Sequence, residues 1–345
     1  MESIKVQLYC HIPHISQILC GFNELGKSGE YSVVLEDVAE EAQRTYTDMS
    51  ILKVYYRGKV IIYDMMDGYI GPEMMRDLLE NCDFYFKRSF SPEKNEQFGD
   101  LKKKMLPLGM NYHVTYGGNP LNDGFIKRFV KLFLRRESFD SFTQRKFEAE
   151  PKFKTENIKI LFLTRLWDPK ECVHENYIEE RKKINAERIA LIRALREKYG
   201  GNAVAGLNDS PLSRVLAPDL IVSKKYTKRK NYLKLMKRSD ICIASTGLHG
   251  SIGWKTAEYV AASRAIVSEP LNYTVTGDFV PGENYLEFSD VEECLRAIDA
   301  LVCSPDALYG MKRKNNEYYK RYLAPRELVK RSLEAIDALI EKETN

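Results

Sequence analysis

The chain has 345 residues, more than one hydrophobic core usually serves, so we expect two domains of ordinary size. Hydrophobic residues make up 44% of the sequence and charged residues 30%, a balance that excludes an intrinsically disordered chain. A formal net charge of +4 is too small for a dedicated nucleic-acid-binding protein, so no nucleic-acid partner is expected.

Short apolar runs alternate with longer helical patterns along the sequence, which is typical of α/β architecture. In the first half the pattern predicts strands at 4–10, 31–35, 52–56, 60–64 and 83–86, and helices at 14–25 and 72–81. In the second half it predicts strands at 158–164, 203–206, 219–222, 240–244, 265–268 and 285–288. The helices predicted there are 176–198, 228–238, 254–262, 291–303, 305–322 and 326–342.

A turn-rich and then strongly charged stretch separates these two series. We therefore predict a first parallel-sheet domain at 1–123, a linker with an amphipathic segment at 124–156, and a second parallel-sheet domain at 157–324. A C-terminal helix at 325–345 could return to the first domain. In open α/β sheets, ligands bind beyond the carboxyl ends of strands, so the search for function narrows to the loops that follow strands.

Three glycines lie in the loop after the predicted strand 240–244 and lead into a helix: Gly247, Gly250 and Gly253. Glycine permits close approach of the backbone, and the N–H groups at a helix start favour an anion such as a diphosphate. Lys255 in the first turn is unfavourable for the helix dipole, which a bound phosphate would explain. The alternative is a glycine-rich connection with a solvated lysine.

The features that follow this turn form a recognisable series. A helix carries Glu258 and a run of small residues, a strand follows at 264–268, a loop of the form F-x-P-G-x-N lies at 279–284, and an acidic stretch ends at Glu293. From about 159 to 333 the sequence resembles the donor-binding half of GT-B glycosyltransferases, in the style of the group-one C-terminal domain and the CgeB-like family. The resemblance implies two Rossmann-like parallel-sheet domains facing a cleft, with the nucleotide diphosphate-sugar as co-substrate and no other cofactor.

The resemblance also implies a donor site. In the family's pattern, a glutamate at the place of Glu258 binds the ribose hydroxyls, since a carboxylate can accept from two vicinal hydroxyls. An arginine with a lysine five positions later grips the diphosphate, and Arg165 and Lys170 keep that spacing. Retaining members often carry a second glutamate where this chain has Gly250, so retention or inversion stays open. The predicted donor residues are Arg165, Lys170, Gly250, Ser251, Gly253, Trp254, Lys255 and Glu258.

The first domain offers three candidates for a catalytic base. His11 and His14 follow the first strand, and Asp64 ends the strand 60–64. An inverting transferase needs a base with a pKa near neutral, which suits histidine. The alternatives are a packing or helix-start role for either histidine and a capping role for Asp64. Cys10 and Cys20 do not complete a zinc spacing with these histidines, so no metal site is expected.

The cysteines and the apolar pattern indicate where in the cell the protein is expected to lie. Seven cysteines without a CxxC pair indicate reduced thiols in the cytosol, and neither a signal peptide nor an apolar run long enough to span a bilayer is evident. The segment 125–136 interleaves apolar and basic residues, so it either lies on anionic lipid or forms an ordinary amphipathic helix. We expect a cytoplasmic protein, with peripheral contact at the inner face of the membrane as an option.

The first hypothesis is transfer of a sugar from a nucleotide diphosphate donor to a glycan or lipid-linked saccharide, in surface polysaccharide synthesis. The first domain would bind the acceptor and the second the donor. Two alternatives share the fold: a nucleotide-sugar 2-epimerase and a non-catalytic nucleotide-sugar-binding protein.

Overall fold

A computed structural model describes residues 1–69, 71–122, 142–172 and 175–344. These residues form two α/β domains, each built on one sheet. The amphipathic segment predicted at 125–136 lies outside the described residues. Among the helices that are described, none is long and apolar enough to cross a membrane.

The first domain contains a six-stranded sheet. Its strands are β1 Glu2–Leu8, β2 Tyr31–Asp37, β3 Ile51–Tyr56, β4 Lys59–Asp64, β5 Phe84–Lys87 and β6 Met105–Pro107. Its helices are α1 Ser16–Lys27, α2 Ala39–Thr45, α3 Pro72–Glu80 and α4 Pro92–Asn95. The strand order is β2-β1-β3-β4-β5-β6.

Strand β3 departs from the all-parallel sheet that the sequence pattern predicts. It pairs antiparallel with both β1 and β4, whereas the other pairings in this described sheet are parallel. Only Arg57 and Gly58 join β3 to β4, and their φ values of 49° and 70° are those of a two-residue hairpin. A connection this short cannot cross back over the sheet, as a parallel pair requires. The carboxyl ends of β1, β4 and β5 nevertheless share one edge.

The second domain contains a five-stranded parallel sheet. Its strands are β7 Ile160–Thr164, β8 Ala203–Leu207, β9 Ile241–Ala244, β10 Ala265–Ser268 and β11 Leu286–Glu287. The helices from here to the end of the chain are α5 Asn176–Tyr199, α6 Pro211–Leu216, α7 Lys224–Thr227, α8 Arg229–Arg238, α9 Trp254–Ala261, α10 Val291–Cys303, α11 Pro305–Tyr318 and α12 Pro325–Thr344.

The strand predicted at 219–222 is wrong. A short 3₁₀ helix occupies Pro218–Leu220, and one isolated bridge joins Leu207 to Ile221. Pro218 fixes its own φ near the helical value and has no N–H to offer a ladder, which favours the helical turn over a strand.

The strand order of the second sheet, β11-β10-β9-β7-β8, reverses between β7 and β9. Strand β8 lies on one side of β7, and β9, β10 and β11 build outward on the other side. In open α/β sheets the crevice for a ligand opens beyond the carboxyl ends of the two strands at such a point. The topology therefore directs attention to the loops after β7 and β9.

Helix α12 leaves the second domain and packs against α1 of the first. Leu328, Val329 and Leu333 join the apolar cluster that covers one face of the first sheet. A Cβ on Gly21 of α1 would lie 2.3 Å from the carbonyl oxygen of Pro325, so only glycine allows this approach. The described residues thus form the two Rossmann-like domains of the predicted α/β class, which is confirmed apart from the direction of β3.

Candidate functional site

A cavity of about 520 Å³ lies at the carboxyl ends of β7 and β9, where the strand order reverses. The second domain contributes the loops after β7, β8 and β9, the first turn of α9, and side chains of α5 and α8. The first domain contributes His14, Asp67 and Arg88. Arg88 also joins the domains directly, because its Nη2 donates to the carbonyl oxygen of Ile252 at 2.7 Å.

The described part of the cavity wall carries more positive than negative side chains. The lining carboxylates, Asp67 and Glu258, are each paired with one arginine: Nη1 of Arg88 is 2.5 Å from Asp67, and Nη2 of Arg229 is 2.7 Å from Glu258. The cations in the described wall are Arg88, Arg165, Arg188, Arg229 and Lys255. Three of these have no carboxylate partner in the described wall, so the cavity suits an anion with two or more charges.

Arg188 on α5 donates hydrogen bonds to both loops at the switch point, the loop after β7 and the loop after β9. It is 6% exposed, and its guanidinium donates to the carbonyl oxygen of Arg165 at 2.6 Å and to that of Thr246 at 2.9 Å. Its Nε donates to Oγ of Ser245 at 3.2 Å. Burial lowers the pKa of Arg188 to about 10, and the neighbouring Arg165 acts in the same direction. The arginine still carries its charge at neutral pH and brings it to the cavity.

Lys255 lies in the first turn of α9 and donates from Nζ to the carbonyl oxygen of Leu163. Burial lowers its pKa to about 7, and the charges of Arg188, Arg229 and Arg165 act in the same direction. The carboxylate of Glu258 opposes this shift. A bound anion would therefore raise the pKa of Lys255 and favour its charged form near neutral pH.

The start of α9 opens into the same cavity. Gly253 is the N-cap residue and has no side chain with which to cap the helix. Trp254 and Thr256 line the cavity together with Gly253, so the first-turn N–H groups and the positive end of the helix dipole face it. The loop before the helix turns through His249, whose φ is 59°. Its N–H donates to Glu180 at 2.8 Å, which holds this uncommon conformation in place.

Glu258 is 2% exposed and faces Arg229 with both carboxylate oxygens, at 2.7 and 3.3 Å. The guanidinium of Arg229 lies 5.1 Å from the ring of Phe142 and 5.0 Å from that of Phe147. The arginine is therefore held between aromatic rings and in turn fixes the orientation of the carboxylate. Sequence reasoning missed Arg229, because no local pattern indicates a pairing across 29 residues.

The predicted donor residues divide into two groups. The residues that line the cavity are Arg165, Ser251, Gly253, Trp254, Lys255 and Glu258. Lys170 is exposed and lies outside the lining, so the predicted pair of Arg165 and Lys170 is not brought together. Arg165 instead places its guanidinium 3.7 Å from the ring centre of Trp167. Gly250 also lies outside the lining, against Asn272.

Of the three candidate bases, His14 alone lines the cavity. Its ring lies 4.8 Å from that of Trp254, and its Nδ1 is buried with no hydrogen-bond partner in the described part of the chain. Burial lowers the pKa of His14, Arg88 adds to this, and Asp67 opposes it. The imidazole is therefore neutral at pH 7, and the residue lines the cavity.

The other two candidates lie elsewhere. His11 is exposed and pairs with Asp37 at 2.8 Å. Asp64 is 0% exposed and accepts from Nζ of Lys87 at 2.7 Å and from the hydroxyl of Tyr85 at 2.8 Å. Asp64 and Lys87 end neighbouring parallel strands in register, which explains the buried pair. No group of three or more metal-ligating side chains occurs among the described residues, Cys10 and Cys20 included.

Neither a protein-family model nor a curated protein matches the sequence. Among solved structures, HepE from Anabaena in complex with UDP is 11% identical over 92% of this chain and 89% of that chain, with a TM-score of 0.46. A Listeria monocytogenes protein that carries the name UDP-N-acetylglucosamine 2-epimerase is 7% identical over 96% and 94%, with a TM-score of 0.45. The C-terminal domain of the group 1 glycosyl transferase LpcC from Francisella tularensis is 12% identical over 51% and 95%, with a TM-score of 0.35.

These similarities concern chain topology alone. The described residues form two Rossmann-like domains, with a cavity between them at the switch point of the second sheet and a last helix that returns to the first domain. This chain therefore has the two-domain arrangement of the GT-B fold.

Proposed function

We propose that this protein is a glycosyltransferase that binds a nucleoside diphosphate-sugar in the cavity between its domains. The observation that carries the proposal is the surplus of cations around the start of α9 at the strand switch point. A diphosphate supplies the negative charges that Arg165, Arg188 and Lys255 lack, and helix N-termini favour it. A saccharide or lipid-linked saccharide, in the assembly of a surface polysaccharide, is the acceptor in this proposal.

The chemistry follows from where charge develops. When the bond between the sugar C1 and the diphosphate breaks, the electron pair stays on the diphosphate, and fixed cations stabilise that charge without reorganising. Arg188 is suited to this because its backbone contacts hold it in place. The carboxylate of Glu258, oriented by Arg229, would accept hydrogen bonds from the ribose hydroxyls.

The acceptor hydroxyl forms the new bond to C1 and must lose its proton. In this proposal, His14 takes that proton, since it is the candidate base that lines the cavity and its Nδ1 has no partner among the described residues. A neutral imidazole with a lowered pKa is in the protonation state that a base requires. A base on the acceptor side of the sugar corresponds to inversion at C1.

The test of donor binding uses two residues of one loop. Titration calorimetry with uridine, guanosine, adenosine, cytidine and thymidine diphosphates is expected to find one that binds. The Arg165→Gln variant should weaken that binding about tenfold, on the scale of one charge-assisted contact. Lys170→Gln removes an equal charge outside the cavity and should leave the affinity unchanged. If none binds, or if the two variants behave alike, the assignment of the cavity is wrong.

The role of His14 predicts a loss in turnover. His14→Gln is expected to lower kcat about 100-fold or more with little change in the dissociation constant of the nucleotide, and to remove the acidic limb of the pH–rate profile. His11→Gln is the matched control, because His11 lies on the same connection but outside the cavity. Equal rates in the two variants would leave the transfer without its proposed base.

The two alternatives differ in what they require. A 2-epimerase would convert the free nucleotide sugar with no acceptor present, and a non-catalytic protein would bind nucleotide without turnover. Incubation with a labelled nucleotide sugar, with and without a mixture of acceptor saccharides, separates the three. The proposed transferase releases nucleoside diphosphate in proportion to glycosylated acceptor.

A further inference from the structure

The charged residues of α7 and α8 are all positive. Every charged residue from 224 to 238 is lysine or arginine. Helix α8 turns Tyr232, Leu233 and Met236 inward, whereas Lys230, Lys234 and Arg238, at intervals of four, are exposed on the other face. Together with the half-buried Lys237, these three exposed residues are called the α8 cation row below.

No described carboxylate forms an ion pair with the α8 cation row. None of its four members forms an ion pair with another described residue, whereas the exposed lysines of α5 are paired. Lys182 lies 2.7 Å from Glu179, Lys183 lies 3.8 Å from Glu187, and Lys198 is bonded to Asp299. The exposed lysines of α5 are therefore ion-paired, whereas the α8 cation row keeps a net positive charge among the described residues.

The distal end of the row opens into a shallow depression of about 300 Å³. Its cationic lining residues are Lys152, Lys234, Lys237, Arg238 and Arg264, and the carboxylate of its described lining, Glu150, is turned to Lys320 at 3.2 Å. The carboxylate of Asp240, two residues after Arg238, is shared by Lys154 at 2.8 Å and Lys312 at 2.9 Å.

The positive charges at the distal end of the row affect the pKa of Lys237, one of its members. Burial lowers the pKa of Lys237, and the neighbouring Lys146 acts in the same direction. The depression therefore carries a surplus of positive charge that an anion would relieve.

The proximal end of the row begins at the cavity. Arg229, the first residue of α8, lines the cavity and pairs with Glu258. From Lys230 to Arg238 the helix rises about 12 Å, at about 1.5 Å per residue. The row therefore begins one residue from the cavity-lining Arg229 and ends at the depression.

We propose that the α8 cation row binds an anionic saccharide chain, so that the acceptor is an acidic glycan whose reacting end enters the cavity. Its role as acceptor site rests on the proposed function, but its binding of an acidic chain does not. A linear polyanion fits better than an anionic bilayer, because the cations follow one helix into a depression and are not spread over a broad face.

The test measures saccharide binding without any sugar transfer. Fluorescently labelled hyaluronan oligosaccharides of increasing length are titrated by anisotropy, beside neutral malto-oligosaccharides of matched length. Wild-type protein is expected to bind the acidic series alone, more tightly with length until the chain spans the row, and more weakly as salt is raised. The triple variant Lys230→Gln, Lys234→Gln, Arg238→Gln should lose affinity about tenfold or more.

The matched control is Lys182→Gln, Lys183→Gln, Lys198→Gln on α5, which removes the same charge from ion-paired positions and should bind like wild type. Equal loss in both triple variants, or no binding of acidic oligosaccharides, overturns the proposal. Binding only to phosphatidylcholine vesicles that contain phosphatidylglycerol overturns it in favour of a membrane surface. Acidic oligosaccharides that bind while every nucleotide fails would retain the row as a site and reject the glycosyltransferase.

Discussion

The Arg229→Ala variant is expected to lose about 3–5 kcal/mol of unfolding free energy. Glu258 is 2% exposed, and Arg229 is its ion-pair partner, with both carboxylate oxygens engaged. Removing the arginine leaves a buried carboxylate without its ion-pair partner, which costs far more than the pair contributes. Urea denaturation followed by circular dichroism measures the change.

Two variants make this result specific. Arg193→Ala breaks the exposed pair with Asp219 and should cost at most about 1 kcal/mol. The double variant Arg229→Met with Glu258→Leu fills the same space with apolar side chains and should recover most of the lost stability. It should still fail to bind nucleotide, because the carboxylate assigned to the ribose is gone. A cost for Arg229→Ala no larger than that for Arg193→Ala would contradict the buried pair.

The affinity for the donor is expected to depend on pH. The pKa of Lys255 is lowered to about 7, mainly by burial and then by Arg188, so the lysine is largely neutral above that pH when the cavity is empty. A nucleotide sugar keeps its diphosphate charge over this range and attracts the charged amine. Its affinity should therefore fall as pH rises above 7, by up to about tenfold per pH unit.

Calorimetry in buffers of different ionisation enthalpy checks this directly, since binding at pH 7.5 should take up protons. Lys255→Met should bind more weakly at pH 6.5 and show neither the proton uptake nor the decline. The stability of the empty protein should change in the opposite sense. Between pH 7 and the ordinary lysine value of 10.5, the unfolded chain binds more protons at this group, so the unfolding free energy rises with pH. Proton release on binding would refute the role of Lys255.

The sequence predicted most of the architecture because the signals concerned are local. Apolar runs marked the strands, and glycine followed by a helical pattern marked the loop that enters α9 at Trp254. The direction of β3 was missed although its cause is local too. Arg57 and Gly58 form the hairpin with positive φ at both positions, yet Arg-Gly lacks the Asn-Gly or Asp-Gly signature of such turns.

The composition of the cavity was only partly predictable. Trp254, Lys255 and Glu258 lie on one short segment, where a motif can place them relative to one another. Arg188 was not identified, since its contacts are to loops 23 and 58 residues away. Lys170 was identified but lies outside the cavity, because a spacing of five residues does not specify the path of the loop after β7.

Charged side chains show the same division between local and tertiary information. Lys87 and Arg88 are adjacent in the sequence, and no local pattern distinguishes them. The first is buried against Asp64, and the second lines the cavity between the domains. The surroundings of the two side chains differ because successive side chains at the end of a strand point to opposite faces. In addition, a loop of the second domain presents the Ile252 carbonyl to Arg88.

The sequence by itself determined the α/β class, most strands and helices, and the glycine-to-helix turn that predicts an anion site, since each depends on residues close together in the chain. Only the tertiary structure decided which charges converge. The switch point between β7 and β9 brings together loops, α5, α8 and the first domain, and the balance of cations over carboxylates exists only in that assembly. Burial then lowers the pKa of Lys255 and of His14, and these side chains become buried only when the chain has folded.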